Sequence, residues 1–274
     1  EIFAEKDTDN YVQVADDFFI NRNYRDTMIR TIADTPLLEK TEYRYSDLGF
    51  YLFQDIVESK TQKPLNEYVN DVFYEKLGMN YTGYLPLMRF CKMNIVPTED
   101  DKIFRNQLVH GYVHDPGAAM LGGVAGHAGV FSTANDLAKI MQLYLNRGAY
   151  GGERFFEPET IDLFTSAPFT KQNNRRGLGF DKPQPDENLP GPTCDMASPE
   201  SFGHTGFTGT IAWADPENKM VFIFLSNRIH PDTENIKLIT TDVRTKIQQV
   251  FYDSFLPDEE KFIEKPPKKA KDRF

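Results

Sequence analysis

Two short runs carry residue types suited to acyl-transfer chemistry: Tyr45-Ser46-Asp47 and, 159 residues on, His204-Thr205-Gly206. A tyrosine acts as a base only where its surroundings favour the phenolate over the ordinary phenol, whose pKa is about 10. The pattern puts Tyr45 at a helix start, where backbone N–H groups and the positive dipole end would stabilise that anion. Asp47 can point into the same cleft and orient a substrate amide or a neighbouring cation. The same letters also read as an ordinary helix start, with Ser46 as cap and the tyrosine in the core. His204 can supply a cation, and histidine titrates near neutral pH. Thr205 and Gly206 suit a substrate lying along a sheet edge, because glycine leaves the backbone open and the hydroxyl can bond a carboxylate or carbonyl. A plain polar strand start has the same composition.

A second group, His110, His114, Asp115 and His127, lies within 18 residues. It reads as a zinc set, as structural loop histidines, or as contacts at the rim of a cleft. The spacings match no zinc signature, so neither a metal nor a cofactor is expected. Arg228 can clamp a substrate carboxylate bidentately or be an ordinary surface arginine. The Arg175-Arg176 pair reads as exposed.

The elements that must position these residues follow from periodicity. Helices are expected over 24–32, 45–60, from Pro64 towards Gly78, over 134–146 and over 158–165. In the second of these Leu48, Tyr51, Leu52 and Ile56 form the apolar stripe, with Phe53 and Val57 beside it. In the fourth, capped by Ser132 or Thr133, the inner face carries Leu137, Ile140, Met141 and Tyr144. Residues 80–131 read as a long loop rich in Gly, Pro and His, of the kind that is usually functional. Strands are expected at 177–181, 209–215 and 220–227. Asp215-Pro-Glu-Asn218 makes the last two a hairpin, and Val221–Leu225 suits a central strand. An amphipathic helix over 233–255 closes the domain, and 257–274 is a charged, Pro/Lys-rich tail, expected to be solvated. Helices, then strands, then a closing helix give an α+β fold: an antiparallel sheet flanked by helices plus a helical region.

With 40% hydrophobic residues, 22 Phe and 13 Tyr among 274, the chain can build a packed core. A net charge of −10 offers no footprint for nucleic acid, and no apolar run reaches the length of a bilayer span. Cys91 and Cys194 make no disulfide framework; they read as two independent buried thiols, with a single bridge between them as the alternative.

Longer segments carry a resemblance. Tyr45-Ser-Asp-Leu-Gly-Phe-Tyr-Leu-Phe-Gln-Asp-Ile-Val-Glu58, Phe73-Tyr-Glu-Lys-Leu-Gly-Met79 with Thr82, Gly126-His-Ala-Gly-Val-Phe-Ser-Thr-Ala-Asn-Asp-Leu-Ala138, Gly203-His-Thr-Gly-Phe-Thr-Gly209 and Phe224-Leu-Ser-Asn227 stand in family order. Together they resemble the serine β-lactamase / penicillin-binding-protein superfamily over about residues 41–252. The resemblance implies a β-lactamase/transpeptidase-like fold and an acyl-enzyme mechanism without a metal. It also implies catalytic roles for Tyr45, Asp47 and His204, and substrate contacts from Thr205, Gly206, His127, His114, Asp115 and Arg228. His127 is the foremost rim residue, since the matching glycine-rich turn borders the family's cleft.

The stretch His110-Gly-Tyr-Val-His-Asp-Pro-Gly-Ala-Ala119, with Gly122-Gly-Val-Ala-Gly-His127, is similar to a class C-like subgroup of cell-wall turnover. That subgroup includes muramyl-L-alanine amidases and domains fused to family 3 β-N-acetylglucosaminidases. Muropeptide or β-lactam-like substrates and a periplasmic or cell-envelope location are the implied expectations. No serine in the chain has a lysine three residues later, so the family's Ser-x-x-Lys nucleophile motif is missing. Ser46 occupies the middle of the tyrosine motif and is discounted as a substitute. Residues 1–256 are therefore expected to be the C-terminal portion of a hydrolase domain truncated at its N-terminus and inactive alone. Its expected partners are the missing segment or a fused glycosidase domain. A non-catalytic muropeptide- or glycan-binding domain, and a true β-lactamase or D,D-carboxypeptidase, are the alternatives.

Overall fold

The structure, a computed structural model, describes residues 2–5, 10–39, 43–172, 174–186 and 188–255. The expected tail at 257–274 lies outside the described residues. The architecture is α+β with antiparallel sheets, and the chain divides into two compact units. The first holds the described residues up to Asp136 together with Ile229–Glu234; the second holds Leu137–Arg228 and the described residues from Asn235 on.

The first unit opens with an antiparallel sheet of β1 (Phe3–Ala4), β2 (Tyr11–Ala15) and β3 (Phe18–Asn21), in the order β1-β3-β2. The sequence reading had no strand here. The signal was present in the alternation of Tyr-Val-Gln-Val-Ala before Asp16-Asp17, where Asp17 takes φ 50° in the turn. Val14 and Ile20 from this sheet pack on Val113, Ala118, Ala119 and Ala125.

After α1 (Tyr24–Ala33) comes α2 (Leu48–Thr61), which begins three residues later than expected. Its inward side also differs. Leu48, Phe53 and Ile56 are exposed, and Gln54 is the buried residue. Polar anchoring is the cause: the Gln54 amide and the Leu65 N–H both donate to Glu58 Oε1 (3.1 and 3.0 Å), and Arg25 donates to Glu58 Oε2 (2.7 Å). Arg25 pairs with Asp55 as well. α3 (Leu65–Val69) runs into a π turn at Asn70–Tyr74. The stretch expected to be an irregular loop contains β4 (Pro97–Asp101) paired antiparallel with β5 (Gln107–His110), then α4 (Pro116–Met120).

α5 (Ala134–Leu145) begins at the end of the first unit and continues into the second. Thr133 Oγ1 caps it by accepting the Asp136 N–H at 3.3 Å. Met141 is buried as expected, and so is Leu143, which the helical stripe had not included. β6 (Ala149–Tyr150), β7 (Glu153–Arg154) and the proline-initiated α6 (Pro158–Thr165) follow. The main sheet of this unit is β8 (Phe202–Thr205), β9 (Ile211–Asp215) and β10 (Met220–Phe224), antiparallel in the order β10-β9-β8. The expected hairpin is β9–β10, but β9 is the middle strand rather than the Val221 run. Residues 177–181 form no strand; Asp181 makes a single bridge to Gly203.

Strand alternation gives this sheet two apolar faces. Phe202 and Ala214 pack with Met141, Tyr144 and Leu145 of α5, while Ile211, Trp213 and Phe222 pack with Phe251. The single closing helix expected over 233–255 is two helices, α7 (Lys237–Thr240) and α8 (Val243–Phe255), parted at Asp242 with φ 53°. α8 turns Gln248 and Tyr252 inward and leaves Ile247 and Val250 exposed. The reason is again polar. Tyr252 Oη donates to Asp215 Oδ2 (2.7 Å), and Gln248 Oε1 accepts the Cys194 N–H (2.9 Å). Fully buried Asp215 also accepts the Ser198 hydroxyl (2.7 Å) and N–H (2.9 Å) and the Asn218 amide (2.9 Å). Both cysteines are free thiols; Cys194 is buried, which pushes it up to about 11, whereas Cys91 is exposed rather than buried.

Candidate active site

Tyr45 lies ahead of α2 in irregular backbone and is 58% exposed. The helix N-terminus receives Asp47 instead, whose carbonyl accepts the Phe50 N–H at 2.8 Å. Ser46 supplies the side-chain bond, its Oγ accepting the Leu48 N–H at 3.2 Å. One turn into α2, Tyr51 stacks on the His127 ring, with centroids 4.1 Å apart and planes at 15°. Burial, followed by the charges of Asp115 and Asp47, pushes the Tyr51 phenol up to about 12.

Asp115 and His127 are brought together. Asp115 is the N-cap of α4, and its Oδ1 accepts the Ala118 N–H (2.7 Å) and lies 2.8 Å from His127 Nε2. The His127 side chain is 4% exposed, and its Nδ1 is buried with no hydrogen-bond partner. Burial alone would raise Asp115, but the bonds from His127 and Ala118 outweigh it and hold the carboxyl below its ordinary value. Glycines make this packing possible. Tyr51 Oη would stand 1.7 Å from a Cβ at Gly117, and the Phe50 carbonyl oxygen 2.2 Å from a Cβ at Gly126. The Gly126 neighbour is helix backbone and cannot swing aside. Gly126→Ala is therefore expected to cost about 1–3 kcal/mol, read as a lower urea midpoint; an unchanged midpoint would mean that α2 shifts freely.

The other two histidines are fixed elsewhere. His110 Nε2 bonds the Ile95 carbonyl at 2.6 Å, and His114 Nε2 lies 3.5 Å from Glu99 Oε2. Among the described residues, no group of three or more His, Cys, Asp or Glu is placed to hold a metal ion. Beside His114 lies a network the sequence reading missed. Arg105, with no side-chain exposure, donates to Asp101 Oδ2 (2.8 Å), Glu99 Oε1 (2.9 Å), and the carbonyls of Val113 (2.6 Å) and His114 (2.8 Å).

These carboxylates set an acid response. In Asp101, Asp115, Asp215 and Glu58 burial acts upwards, but hydrogen bonds win and lower each one, Asp101 to about 2. A lowered carboxylate contributes stability that is present above its unfolded value and lost as pH falls through its folded value. Glu99 is raised by burial and acts in the opposite sense. With four groups against one, the urea midpoint is expected to fall from pH 6 to pH 3. A midpoint that rises on acidification would contradict these assignments.

In the second unit, β8 carries the other motif. His204 and Thr205 are its last residues, so they lie within the strand rather than before it. Gly203 exchanges both main-chain bonds with Asp181 (2.7 and 3.1 Å), and the two-residue period puts the Thr205 main chain on the same outer edge. The Gly206 N–H donates to the Thr210 carbonyl at 2.9 Å, and a Cβ there would meet Thr210 Oγ1 at 2.3 Å. His204 Nε2 lies 2.9 Å from Arg176 Nη1, and its Nδ1 lies 2.7 Å from the Thr205 carbonyl. Arg175 and Arg176 are not simply exposed. Both pair with Asp181 (2.9 and 3.0 Å), whose side chain is buried. Arg228 is buried too. Its Nε donates to the Phe207 carbonyl (2.9 Å), its Nη1 to that of Asn235 (3.1 Å), and the guanidinium covers the Phe207 ring at 4.6 Å. It thereby holds the turn that follows β8.

A family model described as Beta-lactamase matches residues 4–244. The chain belongs to the β-lactamase family. Among its relatives is a putative D-alanyl-D-alanine carboxypeptidase of Escherichia coli K12, 37% identical over 216 residues, covering 74% of this chain and 49% of that protein. A protein of the same description from Salmonella gallinarum is 35% identical over 228 residues, covering 78% and 52%. The chain thus spans about half the length of the curated relatives it matches. Similar solved structures include simvastatin synthase from Aspergillus terreus (TM-score 0.58, 15% identity, covering 85% of this chain and 61% of that one). A β-lactamase from Mycobacterium bovis matches with TM-score 0.53 and 20% identity, covering 78% and 65%. At such identities the likeness is one of β-lactamase-family fold. Among the described residues, no helix is long and apolar enough to cross a membrane.

Proposed function

We propose that the protein is a serine hydrolase that cleaves amide or ester bonds in peptidoglycan fragments through an acyl-enzyme. The Ser-x-x-Lys pair comes from outside the residues of this chain. One observation carries the reading: a β-lactamase-family chain holds Tyr45-Ser-Asp and His204-Thr-Gly in family order, and its relatives are described as putative D-alanyl-D-alanine carboxypeptidases. Tyr45 takes the proton of the attacking serine, and Asp47 orients the substrate amide. Thr205 and Gly206 offer the β8 edge to the substrate backbone. Asp115 holds His127 at the rim, and His114 lies beside Glu99. The segments around His110–Ala119 and Gly122–His127 support a muropeptide as substrate and, with it, a periplasmic or cell-envelope location.

The test uses the product of the full reading frame. It is incubated with muramyl-L-alanyl peptides, with D-alanyl-D-alanine-terminated peptides and with nitrocefin, and the products are followed by mass spectrometry and absorbance. Cleavage of either peptide class with little nitrocefin turnover is the expected result. Fast nitrocefin turnover alone would replace the reading with a β-lactamase. Binding of muropeptides without cleavage would replace it with a non-catalytic binding domain.

A further inference from the structure

We propose that Tyr51 is a specificity-determining contact of the proposed peptidoglycan site, donating a hydrogen bond to an uncharged amide carbonyl of the substrate, and that His127 is a positioning residue acting through it. The ligand rests on the peptidoglycan reading; the division of roles rests on the geometry of the stack. The resemblance implies His127 as the rim contact, but its side chain is 4% exposed and its Nδ1 is buried without a hydrogen-bond partner. Its Nε2 is engaged by Asp115 Oδ1 at 2.8 Å. Neither nitrogen is therefore open to a ligand. What the ring offers is its face, on which Tyr51 lies with centroids 4.1 Å apart and planes at 15°. Asp115 is tied in turn to α4 through the Ala118 N–H at 2.7 Å, so the platform under Tyr51 is anchored.

Tyr51 has the opposite character. It is half-buried, and among the described residues its Oη has no hydrogen-bond partner although the atom is not buried. The hydroxyl is thus a donor open to solvent, with its ring already oriented by the stack. The Tyr51 N–H donates to the Asp47 carbonyl at 3.3 Å, which ties the ring to the residue proposed to orient the substrate amide. The charges around the hydroxyl select its partner. A Cβ on Gly117 would stand 1.7 Å from Tyr51 Oη and 3.2 Å from Asp115 Oδ1, so the phenol and that carboxylate border one spot. Burial, then the charges of Asp115 and Asp47, push the phenol up to about 12, so at neutral pH it keeps its proton and donates. The same two carboxylates repel an anionic acceptor. An uncharged carbonyl meets the donor without that repulsion.

The test uses the product of the full reading frame and whichever muramyl-L-alanyl or D-alanyl-D-alanine peptide it cleaves; for a peptide that binds without cleavage, calorimetric dissociation constants replace KM. Tyr51→Phe keeps the stack and removes the donor. It is expected to raise KM about three- to tenfold, as for one neutral hydrogen bond, with kcat within about twofold and the urea midpoint unchanged. The KM ratio of variant to unsubstituted enzyme is expected to be equal at about 0.05 M and about 0.5 M salt, because an uncharged acceptor is not screened. A ratio that shrinks with salt means an anionic acceptor and overturns the ligand class. His127→Leu, without a flat ring, is expected to raise KM about as much as Tyr51→Phe, and His127→Phe, which can still stack, to recover most of that loss. Added to Tyr51→Phe, His127→Leu is expected to change KM no further. Effects that multiply in the double variant overturn the action of His127 through Tyr51. An unchanged KM in Tyr51→Phe overturns the contact, whether or not His127→Leu folds, and leaves the peptidoglycan reading standing. If the unsubstituted protein neither binds nor cleaves either peptide class, the peptidoglycan reading falls and the ligand assignment with it.

Discussion

Replacing Tyr45 by phenylalanine is expected to lower kcat/KM of the full-length enzyme by about 10²–10⁴-fold, the usual contribution of a positioned general base. The substitution removes one hydroxyl and keeps the ring. Tyr45 is largely exposed and precedes α2 in irregular backbone, so its packing contributes little. Stability is expected to stay within about 0.5 kcal/mol, as for surface positions in general. A rate loss would then report chemistry rather than folding. In the proposed role the hydroxyl would act while the serine is deprotonated, so the loss should appear in acyl-enzyme formation and in kcat, with KM little changed. Burst kinetics with a chromogenic ester separate the two. Turnover within about threefold of the unsubstituted enzyme would remove Tyr45 from the role of base.

Replacing Arg105 by methionine is expected to destabilise the first unit by about 3–5 kcal/mol, the cost of breaking a buried ion pair from one side. Glu99 and Asp101 are almost fully buried, and Arg105 pairs with both. Asp101 keeps the N–H groups of Ile103, Phe104 and Arg105 as donors, but Glu99, already raised by burial, loses its main counter-charge. The carbonyls of Val113 and His114 would also lose their donor. These precede Asp115, so the Asp115–His127 pair is expected to loosen as well. Arg105→Lys should rescue little, because one ammonium cannot serve four acceptors set in a fork. Urea unfolding measures the effect. A loss below about 1 kcal/mol would mean that the network adds no stability. Combining Arg105→Met with Glu99→Gln and Asp101→Asn is expected to recover part of the loss, since the uncompensated charges go with it.

Where local pattern and packing agreed, the elements were legible. α5, α6 and the β9–β10 hairpin stand within a few residues of their expected bounds, because a cap, a proline start and a turn each mark them in the chain. β4 was not legible. Its Glu99 and Asp101 look like solvated loop residues, and they are buried only because Arg105 arrives from beyond the strand. The inward faces of α2 and α8 were misjudged for a related reason. Gln54, Gln248 and Tyr252 point inward to meet Glu58, the Cys194 N–H and Asp215, and hydrophobic periodicity has no term for such partners. Of the candidate site, the pairing of Asp115 with His127 was legible as a cluster but not as a bond.

The amino-acid order by itself determined the family, since Tyr45-Ser-Asp, the Gly126–Ala138 run and His204-Thr-Gly are contiguous strings whose identity needs no fold to be read. Tertiary structure alone decided what each side chain does with its protons and charge. Asp47 rather than Tyr45 stands at the helix start, and Arg228 became a buried strut for the turn after β8. His204 became an acceptor facing Arg176, a residue 28 positions away. The physical reason is common to all three. A side chain's type limits the bonds it can make, but its charge and role depend on which donors and acceptors the fold brings within about 3 Å.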